Sequence, residues 1–179
     1  MRTRSETDAD MELVYAVNVA AFPTSTEAEL VNRLRESTDS FISLVAEEES
    51  RIVGHIFFSP VILGSEHHLK LMGLAPMAVC PENQKQAIGS ALVEAGLKQC
   101  EHAGIGAVVV LGHPEYYPRF GFIPASQFEI RSEYDVPDEV FMATEIRRGY
   151  LDNVHGTIRY HPAFAKLWCR ISIVDARMK

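Results

Sequence analysis

Cysteine is scarce in this chain and unpatterned where it occurs. Cys80, Cys100 and Cys169 share no CxxC spacing, and any pairing leaves one thiol over. A disulfide framework is therefore not expected; reduced, buried thiols of a cytoplasmic protein are. Long apolar runs are missing too. Charge, Gly or Pro interrupts each within a dozen residues, short of the ~20 that a membrane-spanning helix requires. The opening MRTRSETDAD carries no apolar stretch of the kind a secretion signal needs. No basic block occurs and the formal net charge is −7, so nucleic acid is not an expected partner. A field of that sign tilts recognition toward cationic or amine-bearing small molecules. Repeats, low-complexity tracts and Pro/Gly/Ser-rich linkers are absent. With 179 residues, 47% of them apolar, the expectation is one domain over 1–179, with a core at about 2–165 and an extension at about 166–179.

What is present reads as alternating elements. RTRS is a short opening strand. Thr7 or Asp8 caps a helix whose Leu13, Val14, Val17 and Ala21 keep helical spacing until Pro23 ends it. Thr26 with Glu29 forms a capping box for a second helix through about Arg35. FISLVAEEESRIVGHIFFSPVIL is a hairpin with a charged tip, and HLKLMGLAPMAV a third long strand. A helix over 87–103 follows, then the apolar strand GAVVVLG, a turn-rich EYYPRFGF and a strand in VFMATEIRRG. This order predicts an α/β (α+β) fold with a mixed, mainly antiparallel sheet and helices on both faces.

The stretch PENQKQAIGSAL, residues 81–92, sits between the third strand and the long helix. The first amides of a helix lack internal acceptors and carry partial positive charge, so a polar turn there is suited to a phosphate. Gln84 and Gln86 can donate, Lys85 is cationic, no carboxylate occupies 83–93, and Gly89 permits close approach. A routine strand-to-helix connection with a polar surface fits the same residues. Pro76, inside the preceding strand, tips the balance. Proline removes a ladder donor and marks an edge or bulge. A bulge would splay this strand from GAVVVLG and leave backbone groups at Met77 to Val79 facing a wedge. An extended, amide-bearing ligand could pair there as a strand would. Coenzyme A, a diphosphate joined to a peptide-like arm, has that shape.

MAVCPENQKQAIGSALVEAGLKQC resembles the cofactor segment of the GNAT superfamily of acetyl-CoA-dependent N-acetyltransferases. The fingerprint Gln/Arg-x-x-Gly-x-Gly/Ala is met by Gln84, Ala87 and Gly89. LGHPEYYPRFGFIPAS resembles the second signature of that superfamily, a Tyr four residues before Gly-Phe: Tyr117, then Gly121-Phe122. RIVGHIFFSPV and GTIRYHPAF look like one bacterial branch of predicted N-acetyltransferases, and the resemblance spans roughly residues 2 to 165. It implies a splayed pair of strands holding acetyl-CoA as co-substrate. The pantetheine arm would lie on Met77 and Val79, and the diphosphate on the amides of Lys85, Gln86, Ala87, Ile88, Gly89 and Ser90. An N–H near Ala78 would stabilise the oxyanion, and Tyr117 would act as general acid to the departing thiolate. The implied activity is transfer of an acetyl group to a primary amine of a small molecule or protein, by direct attack in a ternary complex. A non-catalytic acyl-CoA-binding sensor or interaction module of the same fold is the alternative.

The sequence departs from the family at Ala87, where glycine is usual. If the backbone there needs φ > 0, alanine costs roughly 1–2 kcal/mol; in helical geometry it is the better helix former by ~1 kcal/mol, and placement at the first helical positions, N1 or N2, is the expectation. A general base is not evident. His113 and Glu115 lie near Tyr117, while His55, flanked by apolar residues, reads as a satisfied, half-buried histidine. His67 and His68 are adjacent, which is not the spacing of a helical metal pair, and no metal site is expected. Gly104-Ile105-Gly106 precedes a strand, which excludes a dinucleotide fingerprint, and no P-loop pattern exists. The acceptor stays open among small amines, amino acids and protein amines. Carboxylates such as Glu27 and Glu29 are as well explained by a solvated helix face. A homodimer is compatible with base rates for such enzymes, and no residue fixes its interface.

Overall fold

A computed structural model describes residues 1–165; the extension expected at 166–179 lies outside them. The chain runs β1 (Arg2–Ser5), α1 (Met11–Ala21), α2 (Thr26–Ser37), β2 (Ile42–Glu48), β3 (Arg51–Leu63), β4 (Leu71–Val79), α3 (Ile88–His102), β5 (Ala107–Leu111), β6 (Ile123–Pro124), β7 (Ile130–Ser132), β8 (Phe141–Glu145) and β9 (Gly156–Arg159). The sheet order is β1-β2-β3-β4-β5-β8-β6, with β9 joined to the end of β3 and β7 to β9. Among the described pairs only β4–β5 and β7–β9 are parallel. The mixed, mainly antiparallel sheet follows the expectation; the short β6 and β7 are additions, two and three residues long and without a readable period.

Two apolar layers cover the sheet. One face packs Val14, Val17, Leu30, Val31 and Leu34 of α1 and α2 over Phe57, Val61 and Val109. The opposite face packs Ile88, Leu92, Val93 and Cys100 of α3 over Ile56, Phe58, Leu74 and Val110. Strand residues alternate between the layers, as the pleat requires.

The helix starts show how local chemistry decides boundaries. Thr7 caps a short 3-10 turn, Asp8–Asp10, that leads into α1, with Asp10 reaching back to the Thr7 amide at 2.8 Å. α2 begins at Thr26, the expected cap itself, and the cap moves back by one residue. Ser25 precedes the helix, and its Oγ donates to Glu29 at 3.0 Å. α1 stops at Ala21, two residues short of Pro23, because the residue ahead of a proline is pushed out of helical geometry.

Pro76 is where the sheet opens. β3 and β4 pair Phe58 with Leu74 and Ile56 with Met77, so Ala75 and Pro76 together oppose Phe57 alone: a bulge. β4 and β5 pair from Leu71–Ala107 through Leu74–Val110, and no further. Beyond the bulge, Met77 to Val79 stay on β3 and have no partner on the β5 side.

Candidate active site

The wedge between β4 and β5 runs into a cleft of about 530 Å³ at the start of α3. Met77 and Val79 line one wall, Gln84, Lys85, Ala87, Ile88, Gly89 and Ser90 the floor, and Asn83, Tyr116 and Arg119 the remainder. The structure thus brings together eight of the eleven residues singled out by sequence, leaving Ala78, Gln86 and Tyr117 off the lining.

Strand alternation decides what β4 offers. Cys80 N–H donates to Val53 O at 2.9 Å, and the register pairs Ala78 with His55. Residues two apart point the same way, so Ala78 also turns its N–H and C=O to β3, while Met77 and Val79 turn theirs into the wedge. Ala78 is therefore not placed to donate to an oxyanion; the amides of Met77 and Val79 are.

The turn is built on two positive-φ residues, Lys85 (φ 62°) and Ala87 (φ 62°). Ala87, at φ 62° and ψ 7°, precedes α3 in left-handed geometry. This corrects the helical placement predicted above: the chain has to leave the 3-10 turn Pro81–Asn83 and enter α3 at a sharp angle, and the left-handed step makes that change. An L-residue there costs roughly 1–2 kcal/mol. Positive φ on either side of Gln86 curls the peptide units toward one concave side. The first helical bond runs from Ala91 N–H to Ala87 O at 3.0 Å, so the amides of Ile88, Gly89 and Ser90 have no acceptor within the helix. No acidic residue lies in the first turn and no side chain caps it. Gln84 and Gln86, candidate donors by sequence, are engaged on the turn itself. Gln84 Nε2 donates to Val79 O and Gln86 Nε2 to Glu82 O, each at 3.2 Å.

Tyr116 was not singled out by sequence, yet it forms the far wall. Its hydroxyl lies 2.8 Å from where a Cβ on Gly89 would sit. Gly89 is thus required for the close approach of this ring. The 3-10 helix Tyr117–Phe120 follows directly, closed by Gly121 at φ 86°. Tyr117 packs edge-on to Tyr116 (5.1 Å between centroids) and to Phe122 (5.5 Å). A side chain at Gly112, the residue after β5, would meet the Tyr117 ring at 2.2 Å, so the phenol lies against the end of the strand that bounds the wedge. Only 6% of Tyr117 is exposed. Burial, with a smaller contribution from Tyr116, holds its titration well above the ordinary phenol range. A Tyr-Tyr pair at the head of a 3-10 turn is the signal that could have revealed Tyr116: one ring goes to the core and its neighbour to the cleft.

His55 is fully buried, not half-buried. Asn18 Nδ2 donates to Val14 O at 2.9 Å and reaches His55 Nδ1 at 3.1 Å. Nδ1 is then the acceptor, and Nε2–H donates to Ser43 Oγ at 2.9 Å. Ser43 Oγ in turn donates to Glu6, which is paired with Arg35. Burial, helped by Arg35, pushes the His55 pKa down to about 3. With both nitrogens engaged in a closed network joining β2, β3, α1 and α2, His55 is structural. His113 and Glu115 are exposed. Among the described residues no group of three His, Cys, Asp or Glu could hold a metal ion, and no helix is long and apolar enough to cross a membrane.

Known proteins share the sequence and the fold of this chain. Residues 2–125 match the family model described as an acetyltransferase (GNAT) domain. The chain is 33% identical over 165 residues to the uncharacterised N-acetyltransferase YhbS of Escherichia coli K12, covering 92% of this chain and 98% of that one. The crystal structure of E. coli YhbS in complex with CoA superposes with a TM-score of 0.86, covering 91% of each chain. A GNAT family acetyltransferase from Brucella melitensis, in complex with acetyl-CoA, is 32% identical with a TM-score of 0.75, covering 91% of this chain and 97% of the other. Fold, motif order and relatives agree: the chain belongs to the GNAT family of acetyltransferases.

Proposed function

We propose that this protein transfers an acetyl group from acetyl-CoA to a primary amine of a small molecule or protein, by direct attack with both substrates bound. The observation that carries this reading is the junction of two complementary surfaces: backbone groups of Met77 and Val79 with no sheet partner, running straight into free helix amides at Ile88 to Ser90. An extended amide-bearing arm fits the first and a diphosphate the second. The CoA and acetyl-CoA complexes of the two relatives support the choice of ligand.

Acetyl-CoA, when bound, supplies an activated thioester. The chain then has three tasks. Met77 or Val79 N–H, aimed into the wedge, donates to the thioester oxygen as it gains negative charge. The wedge holds the thioester where an amine nitrogen can form the new C–N bond as the C–S bond breaks. Tyr117, whose buried ring lies behind the cleft lining against Gly112 at the end of β5, is assigned the proton donation: its phenol gives a proton to the leaving sulfur and recovers one, through water, from the nitrogen as the amide forms. Among the described residues no carboxylate or imidazole lines the cleft, so the amine arrives neutral or loses its proton to water. The acidic net charge favours amine-bearing acceptors.

Thermal unfolding with millimolar acetyl-CoA, with adenosine diphosphate as control, tests the binding step. A ligand of the folded state alone adds about 2.7 kcal/mol of stability at a hundredfold excess over its Kd. Tyr117→Phe then separates catalyst from mere binder: turnover against a panel of amines should fall 10²-fold or more, with CoA affinity kept. Equal turnover in the variant removes Tyr117 from the mechanism, and no shift with acetyl-CoA removes the function.

A further inference from the structure

The cleft holds two cations in different places. Backbone amides serve the floor, and Lys85 stands among them, yet a second cation, Arg119, lies on the opposite wall beside Tyr116. Its position is fixed by the geometry of the Tyr117–Phe120 turn. In a 3-10 helix, side chains three apart eclipse one another, which brings Arg119 over the preceding Tyr116 ring with the guanidinium carbon 4.7 Å from the centroid. Nη2 also donates to Glu115 O at 3.4 Å. Among the described residues no carboxylate is paired with this guanidinium, and Arg119 is exposed at the cleft wall. A charged fork held by a ring and a carbonyl is pre-organised for an oxyanion, in a way that a free lysine stem is not.

We propose that Arg119, carried on Tyr116, recognises the phosphate monoester of the bound nucleotide, so that this enzyme selects coenzyme A over its 3′-dephospho form. The inference rests on the reading of the cleft as the acetyl-CoA site. Coenzyme A holds two kinds of phosphate. The diphosphate is internal and suits the concave row of amides. The ribose 3′-phosphate is terminal, carries close to two negative charges at neutral pH, and needs a partner at the rim. Arg119, exposed on the wall across from the row of amides, is the cation available to it. Lys85 belongs to the turn that curls around the floor, on the diphosphate side.

Isothermal titration of the whole chain with CoA and with 3′-dephospho-CoA, at low and high salt, tests this without knowledge of the acceptor. The wild type should bind CoA about tenfold more tightly than the dephospho form, as for one charge-assisted contact, and the margin should shrink in high salt. Arg119→Gln should weaken CoA binding and leave the dephospho form unchanged, so the two affinities converge. Lys85→Gln, which removes the same charge elsewhere in the cleft, should weaken both alike. Unfolding temperatures of the variants verify that they are folded. A wild type indifferent to the 3′-phosphate overturns the inference while leaving the cleft assignment standing. So does an Arg119→Gln variant that loses both ligands equally, which would move Arg119 onto the diphosphate, or one that keeps the full preference. Failure of the wild type to bind either nucleotide overturns the cleft reading and the inference together.

Discussion

Ala87→Gly offers a test whose sign alone is decisive. Ala87 sits at φ 62° and ψ 7°, immediately before α3. In that region the Cβ crowds the following carbonyl, at a cost of roughly 1–2 kcal/mol. Glycine removes the crowding but gives the unfolded chain more freedom, which offsets about 0.4–1 kcal/mol of the gain. The folded state should therefore gain about 0.5–1 kcal/mol, which raises Tm by about 1–4 °C for a domain of this size. Urea unfolding should show the same gain as a higher midpoint at unchanged slope. Were Ala87 in helical geometry, glycine would instead cost ~1 kcal/mol and Tm would fall. A fall in Tm refutes the left-handed assignment and with it the account of how the turn aims its amides. Ala87→Val provides the counter-test: a β-branched side chain at the same backbone angles should destabilise the protein beyond alanine.

Gly89→Ala should separate folding from binding. The new methyl would stand 2.8 Å from the Tyr116 hydroxyl, the far end of a side chain that can swing away. Helix propensity favours alanine by ~1 kcal/mol, so Tm should hold or rise while the cofactor Kd, measured by titration calorimetry, rises several-fold. Unchanged affinity would show that Tyr116 is not a functional wall. His55 should make stability depend on pH. Its folded pKa, about 3, lies below the ~6.5 of an unfolded histidine, so protonation favours unfolding. Its contribution is complete above pH 6.5 and is lost as pH falls toward 3, at up to ~1.4 kcal/mol per unit. Urea midpoints at pH 7.5, 6.0, 5.0 and 4.5 measure this slope, and His55→Gln should flatten it. The same slope in the variant would assign the acid sensitivity to other groups.

Most of the framework was legible because its determinants are local. Helical spacing, the proline stop after α1, the charged hairpin tip and the apolar strand 107–111 each announce themselves within a dozen residues. Pro76 announced the bulge for the same reason: one residue cannot serve the ladder. What could not be read depends on partners distant in sequence or on angles without a side-chain signature. Ala87 looks like a helix former, and only the chain path demands positive φ. Tyr116 and Tyr117 are indistinguishable by type; the backbone of Gly112 and the N-terminus of α3 sort one to the core and the other to the cleft. The closed network around His55 needs Asn18, Ser43 and Glu6 from three other segments. Ala78 was misassigned because the sense of alternation is set by β3.

The interruption of β4–β5 pairing at Leu74 also gives the molecule an edge strand in its interior. Exposed edges invite other chains to pair and aggregate, and proteins commonly blunt them with charge or proline. Here the unpaired rungs at Met77 and Val79 are recessed between β3, Tyr116 and α3. An approaching polypeptide would have to bring side chains past Met77 and the aromatic wall, whereas a thin, unbranched amide chain does not. The recess therefore filters by cross-section, leaving this interrupted row of the sheet open to a slender ligand and closed to neighbouring proteins.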